Sequence, residues 1–236
     1  MDTSPHRSDF VQVNGIRIHY LDWGGTGPVL LFLTGMGLSA HIYDQFAPRF
    51  VDRFHVMAVT RRGQGDSDYP ETGYNPDTLT EDLRQFMDAL GIDRAILAGH
   101  SMANVELCHF SALYPDRVVK LIFLDAAYDR TKFGVLREKN PLRDIQPPHE
   151  DQYTIEDYIA YTKKNFPLFA EIWSELWDEE ILHSVTTDAT GRIVDKMSDQ
   201  IGASMMEGMK FYSPESSSVE HLRYLGRRRF SRSTDR

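Results

Sequence analysis

Apolar residues in the first half of the chain fall into two patterns. Val29-Leu-Leu-Phe-Leu33 is apolar without interruption, and Phe54–Val59, Ala95–Ala98 and Val118–Leu124 are nearly so. Runs of this length, bounded by turn residues, predict strands buried on both faces. Phe10–Val13 and Ile16–Trp23 alternate instead, and Asn14-Gly15 between them predicts a two-residue hairpin turn. Elsewhere the spacing becomes helical. Leu79, Leu83, Phe86 and Leu90 recur at three and four residues and predict one apolar helix face. Thr78-x-x-Glu81 reads as the capping box that opens this helix, and Gly91 as its stop. A short helix is expected near Ile42–Phe50, and another after Ser101 with Val105, Leu107, Cys108, Phe110 and Leu113. Strands alternating with helices predict an α/β fold, a mostly parallel sheet with flanking helices.

The Ala95–Ala98 strand runs directly into Gly99-His100-Ser101-Met102-Ala103, and a helical pattern begins at once. A G-x-S-x-G nucleophile turn needs this setting, because the chain must reverse within one residue for the serine Oγ to project from the sheet. Ser101 is therefore expected in a strained conformation with positive φ. Gly99 lets the backbone pass close to its neighbour, and the Met102 N–H points where an oxyanion would form. Ala103 replaces the last glycine and adds a methyl where helix and strand nearly touch. An incidental serine between strand and helix is the plainer reading, and the flanking pattern favours a nucleophile.

With three further segments in order, residues 10 to about 130 resemble the α/β-hydrolase fold superfamily. Thr34-Gly35-Met36-Gly37 stands where that family carries a His-Gly oxyanion loop, with Thr34 in place of the histidine. Thr60-Arg-Arg-Gly-Gln-Gly-Asp-Ser67 is similar to its Asp-x-Arg-Gly-x-Gly-x-Ser turn, and Tyr114-Pro-Asp-Arg-Val118 to its Tyr-Pro-x-Arg-Val. The glycines of Arg62–Gly65 read as a tight turn, since no helix with Lys-Ser/Thr follows to cradle a phosphate. The resemblance implies a hydrolase acting on a carboxylic ester or related small acyl substrate. Ser101 would be its nucleophile, and the backbone N–H groups of Met36 and Met102 its oxyanion hole. A serine at this position sets the chain apart from the dehalogenase and epoxide-hydrolase branches, which use Asp.

In this family the catalytic order is Ser, then Asp or Glu, then His. Six strands are in place by Asp125, and the family's acid and histidine follow a seventh and an eighth. Residues 128–212 are richer in charge and aromatics, lack strand-like runs, and imply the helical cap that the family inserts after the sixth strand. Phe166, Phe169, Trp173 and Trp177 predict one helix face, lining a pocket or packing the cap on itself. Met205, Met206 and Met209 face the same alternatives. Residues 213–236 carry six arginines, no buried-strand pattern and no Gly-His. They read as a disordered tail on a chain cut short or frame-shifted after Tyr212, with the last two strands missing. Val119–Leu124 would then be an edge strand through which copies self-associate.

Six of the nine histidines bear on the search for a base. His100 belongs to the nucleophile turn, His41 to the pocket mouth, and His109 lies down the helix after Ser101. His149 and His183 are expected on solvated cap faces. His221 has the chain position of a base without its strand or glycine context. Asp125 ends the sixth strand, where some family members carry the acid. The triad is therefore expected to be incomplete, with no imidazole within about 3.2 Å of Ser101 Oγ. The alternative to an esterase-like enzyme is an inactive hydrolase or binding module lacking the base.

Composition narrows the classes further. The 236 residues suffice for a hydrolase core at 1–127 and a cap. A net charge of −9 argues against an extended nucleic-acid surface. Cys108, alone, permits no internal disulfide, fits a reducing cytoplasmic compartment, and reads as a small buried hydrophobe. No signal-like apolar N-terminus or apolar run of roughly 18 residues is present, so no membrane span is expected. No His/Cys/Asp cluster has ligand spacing, so neither a metal nor a cofactor is expected, and the partner is a small acyl molecule.

Overall fold

Asn14 (φ 46°) and Gly15 (φ 80°) form the hairpin turn, and this left-handed pair matches the twist of the strands it joins. In the computed structural model, which describes residues 5–125, 154–165 and 170–208, those strands are β1 (Arg7–Val13) and β2 (Ile16–Gly24). They pair from Arg7↔Asp22 to Val13↔Ile16. The strands β3 (Val29–Leu33), β4 (His55–Val59), β5 (Ala95–His100) and β6 (Val118–Leu124) complete a sheet of order β1-β2-β4-β3-β5-β6. β2 is antiparallel to both neighbours, and every other pairing is parallel. The α/β architecture predicted from the apolar pattern is the one observed.

The unbroken runs exist because successive side chains enter two different cores. Leu31 and Leu33 join Met57, Val59 and Leu97 on one face; Leu30 and Phe32 join Val56, Ala58 and Ile96 on the other. Helices α1 (Pro76–Ala89) and α2 (Ala103–Leu113) cover the first face with Phe86, Leu107 and Phe110. Two 3₁₀ turns, Ala40–Tyr43 and Ala47–Phe50, cover the second with Tyr43 and Ala47. One short helix was expected there; Pro48, with no N–H to donate, begins a new turn instead.

Helix α1 opens earlier than Thr78-x-x-Glu81 predicts. Asn75 Oδ1 accepts from the Thr78 N–H at 3.0 Å, and Pro76 follows in the first turn. Asn is the stronger cap and Pro is preset for the first helical position, so Asn75 takes the role and Glu81 pairs with Arg84. The helix stops where expected. Gly91 (φ 67°) lets the Ile92 N–H return to the Met87 carbonyl at 2.8 Å.

Beyond β6 the described residues form α3 (Ile155–Asn165), α4 (Glu175–Ser184), β7 (Val185–Thr187), β8 (Ile193–Asp195) and α5 (Asp199–Gly208). The β7–β8 hairpin corrects the expectation of a region without strands. Turn chemistry makes it: Asp188 Oδ1 accepts from the N–H groups of Thr190 and Arg192 at 2.8 and 3.0 Å, and Gly191 takes φ 86°. Trp173 and Trp177 do not lie on one continuous helix, because Ser174 between them is the N-cap of α4. Trp173 instead donates to Asp178 at 2.8 Å under the Lys163 ammonium of α3. Met205 is a core residue, packed with Tyr74, Leu79, Met102, Val105 and Cys108. Phe166, Phe169, Met209 and the tail 213–236 lie outside the described residues. Among those described, β6 pairs with β5 alone, Val119 and Ile122 are exposed, and no helix is long and apolar enough to cross a membrane.

Arg61 and Arg62 leave the end of β4 fully buried. Glu106 of α2 pairs with Arg61, and Asp82 of α1 takes Arg62 Nη2 at 2.7 Å. Burial pushes the Glu106 carboxyl up, and the Arg61 charge opposes it. Removing one partner of a buried pair strands the other. Glu106→Ala is expected to cost about 3–5 kcal/mol in urea unfolding, and Glu106→Gln, which keeps an acceptor, distinctly less.

Candidate active site

Ser101 stands between β5 and α2 with φ 51°, the left-handed strain expected of it. Its N–H donates to the Leu124 carbonyl at 3.1 Å, so the end of β6 holds the turn, and its carbonyl accepts from the Asn104 N–H as α2 begins. A Cβ on Gly99 would lie 2.8 Å from Leu107 Cδ1 and 3.0 Å from Ala103 Cβ. The methyl of Ala103 is thus accommodated because Gly99 has none. A Cβ on Gly35 would lie 2.6 Å from His100 Nδ1 and 3.4 Å from Ser101 Cβ, so the Thr34–Gly37 loop rides directly over the Ser101 turn. Met36 follows in that loop at 37 % exposed, while Met102 is buried at the N-cap of α2. Thr34, at the position of the family's histidine, is fully buried. Asp125 (φ 48°) turns the chain away from β6. Burial pushes the His100 imidazole down, and the Asp125 charge opposes that shift.

Apart from His100 in the turn itself, the imidazoles of the described residues pair with groups other than Ser101. His41 Nδ1 pairs with Asp44 at 2.8 Å, His55 with Asp22 at 2.8 Å and His109 with Asp77 at 2.7 Å. His19 lies between Thr60 and Ser8, each at 2.9 Å. None of them hydrogen-bonds to Ser101. His183 departs from the solvated position expected of it. It lies flat on His41, with ring centroids 3.5 Å apart and planes 10° from parallel, and pairs with Asp66 at 2.8 Å. His149 and His221 are outside the described residues.

The segment that follows the loop over Ser101 is held by residues beyond β6. Glu180 of α4, 2 % exposed, accepts from Ser39 N at 2.6 Å and Ser39 Oγ at 2.7 Å, and from Ser184 Oγ at 2.8 Å. Burial pushes its carboxyl up, and these donors oppose it. Asp66, in the turn after β4, takes His183 and the Lys196 ammonium, the latter at 2.7 Å. Burial disfavours the charged Asp66, but these two hydrogen bonds outweigh it and hold the carboxyl far below its ordinary range. The Arg62–Gly65 segment is the tight turn expected. Gly65 (φ 47°) leaves room for Ser39, and Gln64 Oε1 accepts from the Leu38 N–H at 3.2 Å.

A profile described as the alpha/beta hydrolase fold matches residues 28–198. The chain belongs to the alpha/beta hydrolase fold family. Among its relatives in this family is the 2-(acetamidomethylene)succinate hydrolase of Mesorhizobium japonicum, 36 % identical over 144 residues, 61 % of this chain and 51 % of that protein. The soluble epoxide hydrolase of a Corynebacterium species is 33 % identical over 122 residues, 52 % of this chain and 42 % of the relative. The chain spans about half the length of these curated relatives. The crystal structure of E-2-(acetamidomethylene)succinate hydrolase superposes with a TM-score of 0.75 over 90 % of this chain and 76 % of that one, at 24 % identity, a likeness of fold.

Sequence reasoning missed Glu180, Asp66 and Lys196. Acidic and basic residues on an amphipathic surface look solvated until the element they meet is known, and Ser39 lies 141 positions from Glu180. Glu180→Ala should leave the Ser39 N–H and hydroxyl without an acceptor. We expect a loss of about 2–4 kcal/mol in urea unfolding and faster amide exchange at Ser39 than at the Leu97 amide of β5.

Proposed function

We propose that this protein is a serine-nucleophile hydrolase that transfers the acyl group of a carboxylic ester, or a related small acyl substrate, to water. One observation carries the reading: a left-handed Ser101 at the strand–helix junction, beneath a loop whose Gly35 leaves no room for a side chain. In this reading Ser101 Oγ gives up its proton to a general base and attacks the carbonyl carbon, the ester C–O bond breaks as the alcohol leaves with a proton, and water then hydrolyses the acyl-serine to release the acid and restore the hydroxyl. The charge that develops on the carbonyl oxygen is received by the N–H groups of Met36 and Met102, each donor contributing roughly 3–4 kcal/mol in related sites. The N-terminus of α2 adds its dipole to the same oxygen. A serine rather than a carboxylate at this position favours acyl transfer over the chemistry of the epoxide hydrolase relatives. Substrate enters between the core, 1–127, and the cap, 128–212. A cytoplasmic setting, and self-association through the edge of β6 that is unpaired among the described residues, belong to the same reading.

A binding module without turnover is the second reading. Its support is that His19, His41, His55, His109 and His183 all pair with residues other than Ser101. Hydrolysis of p-nitrophenyl acetate by the chain and by Ser101→Ala separates the two. The hydrolase reading expects Ser101→Ala to lower the rate by on the order of 10⁴-fold or more. A rate at buffer background that Ser101→Ala leaves unchanged would instead establish the binding module.

A further inference from the structure

His19, His41 and Asp66 come from three separate segments: β2, the first 3₁₀ turn after β3, and the turn after β4. Each offers one ligand atom, and the three atoms lie within 4.8 Å of one another. Asp44 takes the Nδ1 of His41 at 2.8 Å, which leaves Nε2 as that ring's uncommitted nitrogen. His41 is 1 % exposed, and its Nε2 has no hydrogen-bond partner. A buried imidazole nitrogen without a partner is costly, and a fixed ring with a carboxylate behind its other nitrogen is the arrangement that orients a metal-binding histidine.

We propose that His19, His41 and Asp66 bind a divalent transition ion of the zinc type, independently of the catalytic reading. Two imidazoles and a carboxylate suit such an ion and leave a position for water. His19 is buried, with Thr60 at its Nδ1 and Ser8 at its Nε2. It meets the ion by giving up one of its hydroxyl partners, Thr60 or Ser8. Asp66 is held as a carboxylate by His183 and Lys196, which form its outer shell. Asp44 and Asp66 together offset the charge of the ion. The role is structural. The ion would join the hairpin, the segment after β3 and the turn after β4 beneath the cap residues that Asp66 anchors.

The other convergent set, His6, His41 and Asp44, shares His41, but its two imidazoles already pair with its own carboxylate, each on one Asp44 oxygen. The experiment is a Co²⁺ titration of the full chain after treatment with chelator, followed by visible d–d absorption and by Tm. One equivalent should bind, with ligand-field bands of low coordination number and a higher Tm, and Zn²⁺ should displace it. His19→Gln and Asp66→Asn should abolish the bands, Asp44→Asn should weaken binding by about 10–100-fold, and His109→Gln should change nothing. Absence of bands in the unmodified chain would overturn the proposal, whatever the folding of the variants. So would bands that survive both His19→Gln and Asp66→Asn, or that disappear only in His6→Gln.

Discussion

The two buried guanidinium groups at the end of β4 are the constraint on which the rest of this structure rests. A charge this deep is tolerated only when paired. Arg61 and Arg62 recruit their partners from different helices, Glu106 from α2 and Asp82 from α1. Both helices are thereby fixed to one point on the sheet. Asp82 also accepts from Asn14 Nδ2 at 2.8 Å, which brings the hairpin turn into the same network. The apolar faces could slide over one another at modest cost, whereas these pairs cannot, since every displaced partner leaves a buried charge. The register of α2, and with it the place of Ser101 one turn before Val105, follows from that demand.

The Ser101 turn shows how strain and close approach are held by neighbours. The left-handed backbone at Ser101 is unfavourable for a residue with a side chain. It is held by its hydrogen bond to the end of β6 and by the helix that starts immediately after it. Gly35 and Gly99 remove the two side chains that would collide above and below it. The segment after the loop above is then tied to the elements beyond β6 by one carboxylate, Glu180, through two hydrogen bonds to Ser39. The elements beyond β6 therefore make a polar contact of low tolerance with Ser39, just after the loop over the serine, in addition to the apolar packing of Met205.

Most of the core was legible along the chain, because the signals that define it are local. Period-two burial, Asn-Gly at a hairpin, Gly91 at a helix end and a serine at a strand–helix junction each act within a few residues. Boundaries were less legible where two local signals compete. Asn75 and Thr78 are both fit to cap α1, and the nearby Pro76 decides between them. The β7–β8 hairpin was missed because its strands are three residues long and are held by the side chain of Asp188, a bond that hydropathy does not record.

By itself, then, the sequence determined the α/β sheet, its order of elements and the strained serine turn, since each depends on neighbours in the chain. Tertiary structure alone decided which polar groups meet. His183 reaches Asp66 across 117 positions, Lys196 reaches it across 130, and Glu180 reaches Ser39 across 141. His19, His41 and Asp66 converge from three elements with no ligand spacing to announce them. Charged and imidazole side chains carry no periodic mark of burial. Their partners are chosen by how the elements beyond β6 pack on the sheet and its loops, which is a property of the whole packed surface.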